Sequence, residues 1–194
     1  MRKSLINRNT TETRISLNIN LDGRGKADIH TPIGFLNHML NLLAKHGLLG
    51  LQIKASGDTE VDIHHTNEDI GICLGLALKD ALGNKEGIRR FGFASVPLDE
   101  ALVEVSLDLS GRPYLKVKSQ KSKVKNNGYD INYLTQFLRA LVNNAGITLH
   151  VEIISGEDGH HIIEAVFKAL GRALKDAVSI DPRIKGILST KGKL

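Results

Sequence analysis

The chain has little cysteine, few aromatic residues and no long apolar run. Its 194 residues include one cysteine, Cys73, and no tryptophan, and aromatic residues make up 4%. A lone cysteine excludes an intramolecular disulfide and a cysteine-rich zinc site, which fits a reducing compartment. No run approaches the ~20 apolar residues that span a bilayer, and Met1-Arg2-Lys3 is not followed by the apolar segment of a secretion signal. We therefore expect a cytoplasmic protein without membrane contact.

Positive charge is in modest excess. The formal net charge of +5 indicates an anionic partner, either a nucleic acid or a phosphorylated metabolite. The scarcity of aromatic residues and the lack of a recognisable binding signature argue against nucleic acid. The densest basic run, residues 116–125, is followed by Asn126-Asn127-Gly128 and is typical of a solvated loop. We therefore expect a small phosphorylated molecule as the partner.

A cluster of metal-binding residue types occurs twice. His64-His65-x-x-Glu68 returns 96 positions later with the same spacing, at residues 160–164. Each copy continues into Leu-Gly-x-Ala-Leu-Lys-Asp-Ala, and residues 74–81 and 170–177 agree at seven of these eight positions. This repetition predicts a duplicated helix and a chain built from two copies of one unit.

The flanking patterns repeat as well. Alternating apolar residues predict strands over 13–21 and 102–109, each ending in a Gly-Arg turn. Helices are predicted over 35–46 and 133–145, and further strands over 49–55 and 148–154. Each half then runs strand, strand, helix, strand, helix, a ββαβα-type repeat.

Two helices cannot cover both faces of a small sheet. We therefore expect each half to lay its helices on one face and to bury that face against the other half. The predicted fold is α+β, with pseudo-symmetric repeats over 1–86 and 87–178. The tail over 179–194 lies outside the repeat, and its Ser189-Thr190-Lys191-Gly192 end is either a flexible terminus or a phosphate-binding loop.

Helical spacing divides each His-His-x-x-Glu segment between two ions. His64 and Glu68 lie four residues apart and project from one face of a helix, whereas His65 is turned by about 100°. The second copy has the same spacing. If the two helices faced each other, each metal could take the His/Glu pair of one copy and the remaining histidine of the other copy. The two sites would then be His64, Glu68 and His161, and His160, Glu164 and His65.

The first helix of each half offers a fourth ligand. Aligning these helices puts His38 and Gln136 in equivalent positions, so His38 would complete the site of His160, while Gln136 faces the other ion. Because glutamine is a poorer transition-metal ligand than histidine, that site would be weaker, add a water or bind the amide oxygen. Imidazole and carboxylate ligands without thiolate suit Mn, Fe, Co, Ni or Zn. His46, two turns beyond His38, could reach the edge of the site.

Six segments in order resemble the imidazoleglycerol-phosphate dehydratases, enzymes of histidine biosynthesis. They are residues 8–13, 34–40, 62–69, 108–114, 160–169 and 189–192. The resemblance implies a ribosomal S5 domain 2-like fold and a 24-subunit homo-oligomer with two manganese ions per active site, bound between subunits. It also implies a lyase that converts imidazole glycerol phosphate to imidazole acetol phosphate. In that reaction two divalent ions on the ring nitrogens would stabilise an imidazolate-type intermediate as the hydroxyl leaves.

The resemblance also assigns roles to individual residues. Glu12 matches the residue that handles protons near the substrate and is assigned as the general acid/base, although its repeat equivalent Glu100 shows that the position also suits an exposed strand carboxylate. Where the family frequently has histidine, this chain has Gln136. The residues expected to contact the substrate are Glu12, His38, His46, His64, Glu68, Arg90, Arg112, His160, Lys168, Ser189, Thr190 and Lys191. Among these, Arg90, Arg112, Lys168 and the 189–191 loop would bind its phosphate.

Two other functions remain open from the residues. One is an RNA-binding α+β module whose basic loop contacts phosphates and whose histidines hold a structural metal. The other is a dinuclear metal hydrolase. The lyase predicts activity that is lost on chelation and restored by Mn²⁺ without RNA. The RNA-binding module predicts salt-sensitive RNA binding that survives replacement of Glu12, and the hydrolase predicts water consumed instead of released.

Overall fold

The same order of strands and helices occurs in both halves of the chain. The computed structural model describes residues 2–119 and 128–194. The first half contains β1 (Lys3–Asn9), β2 (Thr13–Asn20), β3 (Ala27–His30), α1 (Gly34–Gly47), β4 (Gly50–Gly57) and α2 (His64–Leu82). The second half contains β5 (Phe91–Leu98), β6 (Ala101–Asp108), β7 (Tyr114–Ser119), α3 (Ile131–Ala145), β8 (Thr148–Ser155) and α4 (Gly159–Val178).

Each half has three strands before its first helix, so the predicted order with two strands there is wrong. The sheets have the orders β1-β2-β4-β3 and β5-β6-β8-β7, in which the added strands lie at the edges. The central strand β2 buries Ile15, Leu17 and Ile19 in strict alternation. The edge strand β1 buries few side chains and β3 has only four residues. A weakly buried edge strand leaves little alternation in the sequence, which explains the error in the first half.

The helices cover one face of each sheet. Helix α2 packs on β1 and β2, and α4 packs on β5 and β6, while α1 contacts α4 and α2 contacts α3. The four helices therefore lie between the two sheets, and one apolar core of buried residues extends through both halves. The predicted α+β fold, with the helices of each half buried against the other half, is confirmed. Within the described ranges no helix is long and apolar enough to cross a membrane.

The glycine of the duplicated motif lies where helices of different halves cross. A β-carbon at Gly75 would lie 2.6 Å from the carbonyl oxygen of Leu141, and one at Gly171 would lie 2.7 Å from that of Leu43. Both distances are far below van der Waals contact, so a larger residue would force the helices apart. Since Leu43 belongs to α1 and Leu141 to α3, each copy of the motif joins its own half to the other one.

The C-terminal tail is attached to the segment that precedes β5. The N–H of Gly87 donates to the carbonyl of Gly186 over 2.8 Å, and the N–H of Asp181 donates to the carbonyl of Gly87 over 2.9 Å. The last residue, Leu194, lies against the β6–β7 turn, where a β-carbon at Gly111 would be 3.0 Å from its carbonyl carbon. The tail therefore runs from the end of α4 to the turn that carries Arg112.

The predicted basic loop is described only in part. Lys116 and Lys118 belong to β7, and Lys118 pairs with Glu152 of the neighbouring strand β8. The portion of the run from residue 120 to residue 125 lies outside the described residues. In this structure the two described lysines are therefore part of a sheet.

Candidate metal and substrate site

Three of the predicted ligands converge where α1 meets α4. The Nε2 atoms of His38 and His160 each lie 3.1 Å from Oε2 of Glu164, and the three side chains offer ligand atoms that all lie within 4.8 Å of one another. Two imidazoles and one carboxylate around a common point can hold a divalent transition-metal ion. The structure brings these three residues together, and their role as ligands stays a prediction.

Glu164 is held in its charged form. Lys168, one turn further along α4, places Nζ 2.6 Å from Oε1 of Glu164. Burial opposes ionisation of this carboxyl group, but hydrogen bonds from Lys168, His38 and His160 lower its pKa to about 2. The carboxylate is therefore ionised at neutral pH, as a metal ligand must be. Lys168, predicted to bind phosphate, contacts Glu164 in this structure.

His64 and Glu68 form the equivalent pair on α2. Nε2 of His64 lies 3.1 Å from Oε2 of Glu68. Gln136 lies on α3, the helix that packs on α2. Its amide oxygen is buried and has no hydrogen-bond partner in the part of the chain that the structure describes. A buried carbonyl oxygen without a partner is unfavourable, and a cation would satisfy it.

His65 and His161 lie apart from these two clusters. Nδ1 of His65 is 3.0 Å from Oδ2 of Asp58, and Nδ1 of His161 is 2.8 Å from Oε2 of Glu100. These hydrogen bonds raise the pKa of both histidines. Since α2 packs on α3 and α4 packs on α1, the helices that carry the two histidines do not face each other. The exchange of histidines that facing helices would permit is therefore not formed within one chain.

Glu12 lies in the turn between β1 and β2, close to His65. Its Oε2 is 3.8 Å from Nδ1 of His65, and its side chain is 52% exposed. The turn is held from within, because Oγ1 of Thr10 accepts the N–H groups of Glu12 and Thr13 over 3.2 and 2.9 Å. Oγ1 of Thr13 in turn donates to Oδ2 of Asp69 over 2.5 Å. The turn that carries Glu12 is thereby fixed to α2.

Arg90 connects the C-terminal tail to β6. Its Nε and Nη2 donate to the two carboxylate oxygens of Asp108 over 2.7 and 2.9 Å, and its Nη1 donates to the carbonyl of Leu188 over 2.8 Å. The next residues are Ser189, Thr190 and Lys191, where the N–H of Lys191 donates to Oγ of Ser189 over 3.2 Å. Arg112 is exposed in the turn that Leu194 contacts. Arg90, Arg112 and the tail therefore lie in one region.

His46 is half-buried on α1. Burial lowers the pKa of its imidazole, and the positive charges of Lys168 and Arg172 lower it further. His46 is therefore neutral at pH 7 and lies near Lys168, at the contact between α1 and α4.

Comparison with known proteins identifies the family of the chain. The sequence profile of the imidazoleglycerol-phosphate dehydratases matches residues 31–174. The chain belongs to the imidazoleglycerol-phosphate dehydratase family. The family's enzyme from Clostridium novyi is 58% identical over 185 residues, which cover 95% of this chain and 94% of that one. The enzyme from Acetivibrio thermocellus is 56% identical over 193 residues, which cover 100% of this chain and 99% of that one.

Solved structures of the family have the same fold. The imidazoleglycerol-phosphate dehydratase of Pyrococcus furiosus superimposes with a TM-score of 0.85 at 40% identity, covering 97% of this chain and 100% of that one. The enzyme of Staphylococcus aureus gives 0.82 at 39% identity, covering 92% and 99%. The resemblance that the six segments predicted is thus confirmed, and the chain is a hydro-lyase of histidine biosynthesis.

Four residues that support the site of this family member were not predicted from motifs: Arg8, Asp58, Asp69 and Asp108. Asp58 binds His65 and Asp108 binds Arg90. Asp69 binds Thr13, next to Glu12, and also pairs with Arg8 over 3.0 Å, which raises the pKa of Arg8. Asp58 and Asp108 meet their partners only in the folded chain. The signal available in the sequence was that Arg8, Asp69 and Asp108 lie within three of the six segments that carry the family resemblance. Asp58 lies outside those segments.

Proposed function

We propose that the chain converts imidazole glycerol phosphate to imidazole acetol phosphate with Glu12 as general acid/base and two manganese ions at the two His/Glu clusters. The observation that carries the proposal is the convergence of His38, His160 and Glu164 on one point. Membership of the dehydratase family supports the substrate and the loss of water.

The residues present fit divalent metal ions. Their ligand atoms are imidazole nitrogens and carboxylate oxygens, which suit manganese among other first-row metals. The buried amide oxygen of Gln136 has no hydrogen-bond partner among the described residues and would supply a further ligand atom to the ion of the second cluster. One ion would be held by His38, His160 and Glu164 together with His65 of another copy, and the other by His64, Glu68 and Gln136 together with His161 of another copy. A bound divalent ion would supply a Lewis acid that stabilises negative charge on the imidazole ring of the substrate.

Glu12 is suited to moving protons at the carbon chain of the substrate. No hydrogen bond to its carboxylate forms among residues 2–119 and 128–194, and about half of the side chain is exposed. It can therefore accept the proton from the carbon next to the one that loses its hydroxyl group. Loss of water gives an enol, and return of a proton to carbon gives the ketone. The hydrogen bonds of Thr10 and Thr13 hold the turn in place during these steps.

The region around the C-terminal tail would bind the phosphate group. Guanidinium groups have five N–H donors, and three of those of Arg90 are engaged with Asp108 and Leu188. As far as residues 2–119 and 128–194 are concerned, two N–H groups of Arg90 remain for a phosphate oxygen. Arg112 and Lys191 are exposed close by, and they would supply the positive charge that a phosphate dianion requires.

We propose that the sites lie between copies in a homo-oligomer, which the family resemblance sets at 24 subunits. His65 and His161 are about one-third exposed, so a neighbouring chain can reach them. Large apolar side chains on the edge strands are also exposed, including Leu5 at 59% and Phe93 at 56%. Such surfaces are typical of protein interfaces. An isolated chain would have incomplete sites, and a cytoplasmic location remains a prediction.

The test is to incubate metal-stripped protein with imidazole glycerol phosphate, with and without Mn²⁺, and to measure the ketone product. Product should form only after Mn²⁺ is added, and the His160→Ala variant should form much less. No product under either condition would contradict the proposal. Salt-sensitive RNA binding that survives Glu12→Gln would favour the RNA-binding module instead, and consumption of water would favour the hydrolase.

A further inference from the structure

The glutamates at the start of the two central strands have different partners. Glu12 precedes β2 and Glu100 precedes β6, 88 positions later. Oε1 of Glu100 accepts the N–H groups of Glu157 and Asp158 over 3.1 and 2.9 Å, and Oε2 lies 2.8 Å from Nδ1 of His161. Glu12 faces His65 in the same way, but at 3.8 Å, which is too long for a hydrogen bond.

Asp58 makes the contact that Glu12 does not make. Its Oδ2 lies 3.0 Å and its Oδ1 3.3 Å from Nδ1 of His65, and its side chain is only 23% exposed. In both repeats, therefore, a carboxylate binds Nδ1 of the second histidine of the His-His pair, which is His65 in the first repeat and His161 in the second. In the second repeat that carboxylate begins the strand, whereas in the first it begins the loop before the helix.

The length of this loop differs between the repeats. Six residues, 58–63, connect β4 to α2, whereas three residues, 156–158, connect β8 to α4. The short loop turns its backbone N–H groups toward Glu100. The long loop turns the side chain of Asp58 toward His65, and none of its N–H groups bonds to the carboxylate of Glu12 within the described residues.

We propose that Asp58 is a positioning residue that binds Nδ1 of His65 in place of Glu12, so that His65 presents Nε2 for binding while Glu12 keeps an unbound carboxylate for proton transfer. The inference rests on the proposed function, since it gives His65 and Glu12 the roles assigned above. A hydrogen bond at one imidazole nitrogen fixes the ring orientation and leaves the other nitrogen for a metal.

The two repeats supply a matched control. If Asp58 is removed, the nearest other carboxylate to Nδ1 of His65 in the described chain is Glu12. If Glu100 is removed, no other carboxylate of the described residues pairs with Nδ1 of His161, because Asp99 lies 3.8 Å from Nε2 on the other side of the ring and Asp158 accepts the N–H of His160. Loss of Asp58 should therefore draw Glu12 into a structural contact, whereas loss of Glu100 should leave His161 without a carboxylate at Nδ1.

The experiment compares wild type, Asp58→Ala, Glu12→Gln and the double variant as assembled, metal-stripped proteins. Mn²⁺ affinity is measured by titration calorimetry and turnover by steady-state kinetics. Asp58→Ala should lower kcat by about tenfold or more with little change in KM, and should change Mn²⁺ affinity by less than about threefold because Glu12 replaces it. Glu12→Gln alone should leave Mn²⁺ affinity unchanged. The double variant should lose about 10–100-fold in affinity at one site.

Two further variants sharpen the result. Glu100→Ala should weaken Mn²⁺ binding by about 10–100-fold as a single change, in contrast to Asp58→Ala. Asp58→Asn, whose amide oxygen can still accept from Nδ1–H, should recover most of the kcat that Asp58→Ala loses. If Asp58→Ala does not assemble, Asp58→Ser takes its place in the same cycle.

The inference is overturned if the double variant binds Mn²⁺ as well as Asp58→Ala does, because Glu12 would then not have replaced Asp58. It is also overturned if Asp58→Ala alone already loses about 10–100-fold in Mn²⁺ affinity, as expected of the double variant. Full kcat in Asp58→Ala would overturn it as well. Failure of the proposed function gives a different result, since wild-type protein would then bind no Mn²⁺ or form no product.

Discussion

Glu12 and Glu100 directly precede matching strands. Three donors bind the carboxylate of Glu100, whereas no donor among the described residues forms a hydrogen bond to the carboxylate of Glu12. The hydrogen bonds from Asp158, His161 and Glu157 lower the pKa of Glu100 to about 2. The carboxylate of Glu100 is thereby committed to holding a loop and a histidine. The same position of a repeated unit can therefore carry a hydrogen-bonded structural carboxylate in one copy and a carboxylate free to transfer protons in the other.

The two clusters between the helices differ in the same manner. His38 completes a group of three ligand atoms with His160 and Glu164. Gln136 stands at the equivalent position of α3 in the alignment of the two helices, and its buried amide oxygen lacks a hydrogen-bond partner among the described residues. The helix pairs correspond, because α1 packs on α4 and α3 packs on α2. The difference lies in the side chains, so we expect two unequal metal sites.

The largest expected effect is the loss of turnover when Glu12, and not a structural glutamate, is replaced. Glu12→Gln should lower kcat by about 10²–10⁴-fold, because a general acid/base of that strength is lost, while Mn²⁺ content stays near that of wild type. Steady-state kinetics and metal analysis measure both quantities. Glu60→Gln, a change at another exposed carboxylate, serves as the control and should keep full activity. Turnover retained by Glu12→Gln would remove Glu12 from the mechanism.

Replacing one histidine in each cluster tests whether the two clusters bind separate Mn²⁺ ions. His160→Ala and His64→Ala should each lower the Mn²⁺ content from two ions to one per chain in metal analysis. The Mn²⁺ affinity of the altered site should fall by at least about 100-fold, because loss of a ligand costs more than loss of a residue that hydrogen-bonds to a ligand. His160→Ala should remove the tighter ion. If sites lie between chains, light scattering should also show a weaker assembly. An unchanged metal count in His160→Ala would refute its role as a ligand.

A single substitution should make the two clusters more alike. Gln136→His restores the residue type of His38 to the second cluster, and should tighten the weaker Mn²⁺ site by about tenfold, equivalent to ~1.4 kcal/mol. Gln136→Leu is the matched control and should weaken it. Calorimetric titration distinguishes the two sites by their affinities. Equal affinities in wild type, Gln136→His and Gln136→Leu would show that residue 136 does not face an ion.

The smallest expected effect concerns stability and pH in the metal-free protein. The pKa of Glu100 is about 2 in the folded chain and 4.5 ordinarily. The unfolded chain therefore takes up the proton first as pH falls, and the stabilisation by Glu100 is complete above about pH 4.5 and lost toward about pH 2. Glu100→Gln should lower Tm at pH 6, and the difference from wild type should shrink toward pH 3. Glu12→Gln should leave Tm unchanged at pH 6, and an equal fall in both variants would contradict the comparison.

The duplicated helices could be predicted from the sequence, because buried positions repeat in both halves and Gly75 and Gly171 lie at equivalent helix crossings. It also predicted that His38 aligns with Gln136. It did not predict edge strands such as β3, which bury too few side chains to leave a pattern. Nor did it predict the contacts of Asp58 and Asp108. The partner of Asp58 is set by the path of a loop, and that of Asp108 by the pairing of β5 with β6.

The packing of each half on the helices of the other has a consequence for how the halves could diverge. Two identical halves, as separate chains, could cover each other's helices and form a symmetric dimer. Every substitution in such a dimer would occur twice, and each gain at one site would be copied at the other. Joined in a single chain, the halves are free of that constraint. Covalent linkage of the halves thus allows Glu100 to be held by hydrogen bonds while the equivalent Glu12 is not.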